Sequence, residues 1–110
     1  MDQILRALAL INGIKDNTPD KPTISERWVE EYHLALEKVE KSIKQDLTDF
    51  RIKQTDLKKR LVSSNSRTGE RRYADGLFCE TALYLQKVDS LLNYLNMLLR
   101  PPEKKMGFGQ

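Results

Sequence analysis

The chain is poor in the residues from which catalytic and metal sites are usually built. It holds one cysteine, Cys79, and one histidine, His33, in 110 residues. A lone cysteine excludes an intrachain disulfide and fits a reducing compartment, so a cytoplasmic location is expected. One Cys and one His cannot complete a tetrahedral zinc site, and no metal or other cofactor is expected. Glycine-rich phosphate loops are absent, since Gly69 stands alone in its segment. Long hydrophobic runs are missing too. Near the N-terminus the longest apolar stretch is Ala7 to Ile11, too short for a membrane span or a signal-peptide core, and no membrane partner is expected. No Ser-His-acid or Cys-His pair can be assembled, so the chain reads as non-enzymatic.

What is present is charge and aliphatic bulk. Charged residues make up 32% of the chain, and 19 Lys and Arg stand against 16 Asp and Glu. The balance permits an anionic partner without demanding one. Its distribution is more informative. Segment 51–72 carries Arg51, Lys53, Lys58, Lys59, Arg60, Arg67, Arg71 and Arg72 against only Asp56 and Glu70. The length suits one domain, taken as 1–100, followed by a flexible tail at 101–110.

Helical periodicity dominates the reading. Ile4, Leu5, Leu8, Ile11 and Ile14 predict a first helix over 2–15, and Pro19 and Pro22 break the chain after it. Thr23 and Glu26 match a capping box, with a competing cap at Ser25, and open a helix expected to run from 24 to 50. Its apolar positions, from Trp28 through Phe50, fall within an arc of roughly 120°. A short helix is expected over 54–62 and a long loop over 63–75. The last helix, 76–99, is apolar nearly all round, which predicts either a central rod or a subunit interface. Two neighbouring helices leave such a girdle uncovered, so a homo-oligomer is expected, with Leu83, Leu91, Tyr94 and Leu98 as its interface.

Some short motifs invite chemistry. Glu30 and His33 have the Glu-x-x-His spacing of carboxylate-bridged di-metal bundles, but both project outside the apolar arc, away from the core. Arg27 and His33 give an Arg-x5-His spacing that resembles the Arg-x(4–6)-His motif of the HEPN ribonuclease superfamily. That resemblance covers two residues. It implies a helical bundle in which Arg27 and His33 act at an RNA phosphate, often across a dimer. Thr68 to Tyr73 resembles the linker between tandem zinc fingers, though the chain cannot build the fingers themselves. Cys79 near a helix start is expected to be packed rather than reactive.

The expected fold is therefore all-α: a small antiparallel helical bundle on two long helices, with a short N-terminal helix and a short connecting helix. The expected function is a non-enzymatic interaction or assembly module that is homo-oligomeric or binds a protein partner. The alternatives are a HEPN-like ribonuclease and a nucleic-acid- or polyanion-binding protein. The last would use Lys58, Lys59, Arg60, Arg67, Arg71 and Arg72 on phosphates and Tyr73 on a base.

Overall fold

A computed structural model describes residues 2–99. It shows a mixed α/β chain rather than an all-α bundle. Helix α1 (Asp2–Asp16) is followed by strand β1 (Thr23–Ser25) and helix α2 (Glu26–Ile43). Two 3₁₀ turns follow at Thr48–Phe50 and Gln54–Asp56, then strands β2 (Leu61–Ser64), β3 (Arg71–Tyr73) and β4 (Phe78–Glu80), and helix α3 (Thr81–Leu99). The strands form two small antiparallel sheets, β1 with β4 and β2 with β3. The tail expected at 101–110 lies outside the described residues.

The β1–β4 pair explains why helix boundaries differ from expectation. Ile24 faces Cys79 in the ladder and both are buried. Residues Thr23–Ser25 are thus strand, not the first turn of a helix. Ser25 occupies the N-cap position but makes no side-chain cap bond. The Glu26 amide instead donates to the Leu77 carbonyl (2.9 Å), and the Leu77 amide donates to Glu26 Oε1 (3.3 Å). The first orphan amide of α2 is thus met from across the sheet. On the far side the Thr81 amide donates to the Pro22 carbonyl (2.9 Å), which ties down the start of α3.

Helix α2 also ends earlier than its apolar pattern suggests. Lys44 adopts a left-handed conformation (φ 58°) and its amide closes on Glu40. The Glu40 carboxylate then accepts from the Leu47 amide (2.8 Å), and Asp46 accepts from the Thr48 amide (3.0 Å). The chain reverses as a strap over 44–52. Leu47 and Ile52 are buried on it and Phe50 packs against the core. Their spacing continued the apolar pattern of α2 because the same core receives both.

Helix α1 lies against both α2 and α3. The backbones of α2 and α3 stay further apart and meet through aromatic rings, with Tyr32 edge-on to Tyr84 at 5.6 Å. Tyr32 is fully buried and its hydroxyl donates to the Phe50 carbonyl (2.7 Å). Burial raises its phenol well above the ordinary tyrosine range. The strap covers the other side of α3: Phe50 meets Tyr94 at 5.4 Å between ring centroids, and Lys87 donates to the Asp49 carbonyl (3.1 Å). Much of the apolar girdle of α3 is therefore packed within one chain, with Leu83, Leu85, Tyr94 and Leu98 half-buried. Among its described large apolar side chains only Met97 is exposed.

Leu36, Val39, Val88, Leu92 and Leu95 all lie in the core, and Ile43 is half-buried beside it. Replacing the fully buried Leu95 by Ala should cost about 2–5 kcal/mol in chemical denaturation. A loss under about 1 kcal/mol would contradict this packing.

Candidate nucleic-acid interface

The segment expected as a short helix and a loop is instead a β-hairpin arm. Only Gln54–Asp56 is helical, as a single 3₁₀ turn. Lys58 then pairs with Phe78 through both backbone bonds (2.8 and 2.6 Å), so the arm is rooted on the free edge of β4. Further out, the Ala74 amide donates to the Arg60 carbonyl (2.9 Å), and Leu61 faces Tyr73. The register shifts between Leu61 and Ser63, leaving Val62 at a bulge. Beyond it Ser63 faces Arg72 and Ser64 faces Arg71.

The tip is closed by local bonds. The Asn65 amide donates to the Glu70 carbonyl (2.7 Å), and the Gly69 amide donates to the Asn65 carbonyl (2.8 Å). Asn65 Oδ1 accepts from the Arg67 amide (2.9 Å). Gly69 has φ +75°, a conformation that costs a residue with a Cβ more than it costs glycine. Asn65 and Gly69 are turn-forming residues, but the ten residues between Leu61-Val62 and Tyr73 exceed the length that marks a hairpin in a sequence. The flanking strands obscure it, because Lys58, Lys59 and Arg60 precede Leu61 without an apolar–polar alternation.

Lys58, Lys59, Arg60, Arg67, Arg71, Arg72 and Tyr73 all sit on this one ribbon, and each is exposed. Every residue of β2 and β3 is exposed. Among the described residues one arm cation has an aromatic partner: the Arg60 guanidinium lies 4.6 Å from the centroid of Phe78. Among the described residues none of these cations forms a salt bridge; the ion pairs present join Lys15 to Asp89 and Arg51 to Glu37 and Glu40. Arg51 thereby belongs to the helical body and leaves the basic cluster. At the root of the arm a cleft of about 410 Å³ is lined by Lys58, Lys59 and Arg60 opposite Asp56 and Glu80. Its acids give the base of the arm a mixed charge, while the outer part is basic.

The expected interface residues on α3 have other partners. Leu91 is fully buried in the chain's own core. Leu83 and Leu98 pack partly buried against it, and Tyr94 lies tilted against Phe50 and donates to Gln45 Oε1 (3.3 Å). The reason is the strap, which occupies the side of α3 that two helices alone would leave bare.

His33 also has a structural partner. Its Nε2 accepts from the Ile52 amide (3.0 Å), pinning the strap to α2. That bond requires the ring to be neutral with its proton on Nδ1. Burial, with Arg51 nearby, holds its pKa below the ordinary histidine value. Arg27 is exposed on the first turns of α2, and no described group of His, Cys, Asp and Glu side chains converges as a metal site. Cys79 is buried, and its thiol pKa is raised by that burial and by Asp56 and Glu80, the opposite of an activated thiolate. No described helix is long and apolar enough to cross a membrane.

No protein family matches the chain, and no curated protein and no solved structure matches it either.

The His33 bond makes stability depend on pH. The folded-state pKa lies below the unfolded value, so the unfolded chain binds the proton more readily. The contribution is complete above about pH 6.5 and is lost as pH falls from there toward the folded pKa. Denaturation midpoints should drop on acidification across this window more in the wild type than in His33→Gln, whose amide oxygen accepts the same bond without titrating. Parallel profiles for the two proteins would refute the assignment.

Proposed function

We propose that this chain is a non-enzymatic, cytoplasmic DNA-binding protein that grips duplex DNA with its basic arm. The observation that carries the reading is the arm itself. Six cations and one acid, Glu70, lie on an exposed ribbon between Lys58 and Ala74, and none of the cations has a counter-ion among the described residues. Such a ribbon buries little apolar surface of its own, and an isolated two-stranded hairpin is marginal in water. Unneutralised charge on it is best explained by a polyanion, whose counterions are released on binding.

Ribbon geometry favours duplex DNA among polyanions. Two strands about 4.8 Å apart with their side chains fit a major groove about 12 Å wide, and β-ribbons are an established mode of groove entry. The deep, narrow major groove of A-form RNA excludes the same ribbon. Arg67 at the tip, with Arg71 and Arg72 on β3, can each fork onto phosphate or guanine more effectively than lysine. Tyr73 and Leu61 share one face of the ribbon near its root and would lie against the sugar–phosphate wall. The lone, buried Cys79 supports the cytoplasmic part of the reading.

Replacing Arg67, Arg71 and Arg72 together by Ala should leave helix content and thermal unfolding unchanged, because all three are exposed and outside the core. It should weaken retention on duplex DNA strongly and lower the slope of log K against log salt by roughly 3, about 0.9 per lost phosphate contact, leaving the residual binding of Lys58, Lys59 and Arg60. Absence of wild-type binding to duplex DNA at low salt, or equal binding by the triple variant, refutes the proposal. Preference for duplex RNA over DNA would refute the groove argument.

A further inference from the structure

We infer that the groove between α1 and α2 is a docking surface for a second copy of this chain. Leu83, Tyr94 and Leu98 on α3 are half-buried, whereas Leu34 on α2 and Leu10 on α1 are exposed. Leu34 is 60% exposed and Leu10 is 40% exposed. Leu34 lies far from the buried stripe of α2, which consists of Val29, Tyr32, Ala35, Leu36 and Val39. It instead lines a surface groove with Leu10, Ala35, Glu31 and Lys38. The groove continues past Lys38 to Arg6 at one end.

The occupant follows from the pattern of charge. Glu31, Leu34 and Lys38 stand at i, i+3 and i+7 and so share one helix face. Turned end for end, that face matches itself. A second α2 laid antiparallel places Glu31 of each copy opposite Lys38 of the other and brings the two exposed Leu34 side chains together beside Leu10. Arg6 reinforces the basic end. Neither Glu31 nor Lys38 has an ion-pair partner among the described residues. A self-complementary patch is the requirement of a two-fold dimer, in which residue i meets j and j meets i. The dimer is independent of the arm's ligand and would present two arms to it.

Charge reversal tests this directly. Sedimentation or light scattering over a concentration series, without nucleic acid, compares wild type with Glu31→Lys, Lys38→Glu and the double variant. Both substituted positions are exposed, and circular dichroism verifies that each variant folds. The wild type should be dimeric. Each single reversal juxtaposes two like-charged pairs and should weaken the dimer about tenfold or more, whereas the double variant restores both pairs and should recover most of that loss. A monomeric wild type, single variants as tightly paired as wild type, or a double variant no tighter than the singles each overturns the inference. Because nucleic acid is absent, failure here is distinct from failure of the DNA-binding proposal.

Discussion

The structure depends on β4 being hydrogen-bonded along both edges. On one edge β1 pairs with it, placing Ile24 and Cys79 together in the core. On the other edge Phe78 exchanges both backbone bonds with Lys58. Adjacent residues of a strand direct their backbone bonds to opposite sides, so a strand of three residues serves two neighbours. The first pairing fixes where α2 and α3 begin and satisfies backbone groups at both starts. The second makes the root of the arm an extension of the core sheet. Without β4, helices and arm would be separate objects.

A second set of bonds closes the core. The strap over 44–52 is held to α2 by Tyr32 at Phe50 and by His33 at Ile52. These two bonds lie on consecutive residues of one helix and reach two turns of an irregular segment. They bring Leu47, Phe50 and Ile52 onto the core and supply the apolar cover that α3 needs. Burying the side chains of α3 is worth roughly 1.5–3 kcal/mol for each large aliphatic group, far more than the two hydrogen bonds that position the strap. The polar contacts select the geometry and the apolar ones stabilise it. His33 is used for this purpose, which leaves no free histidine for nucleophilic or metal chemistry.

The arm follows different physics. Its strands bury little, and the Arg60–Phe78 contact and the Asn65–Gly69 tip hold its shape. Repulsion among its cations opposes the hairpin in isolation, and a phosphate backbone would relieve it. The arm's charge and the body's apolar packing are thus spatially separated. Variants on one should leave the other intact, a division that also keeps the α1–α2 groove independent of the arm.

Much of the helical body was legible. Helix α1 extends over Asp2–Asp16, close to the expected 2–15, because Ile4, Leu8, Ile11 and Ile14 recur at a spacing that only a helix turns inward; Leu5, read on the same face, is exposed, and Ala7 is buried in its place. Five of the six expected core residues are buried for the same reason. The basic cluster was equally visible, since charge is a property of the residues themselves. Strands of three or four residues were not, because so short a run carries no period to distinguish it from loop or helix. The strap was read as helix because its apolar spacing happens to continue that of α2. By itself, then, the sequence determined the helical faces and the position of the positive charge, both of which are local. Only tertiary structure decided that Thr23–Ser25 pairs with Phe78–Glu80 across more than fifty intervening residues, that the strap packs on α3, and that the cations stand on one ribbon. Strand pairing and coverage depend on which distant segments meet, and no short-range pattern encodes that.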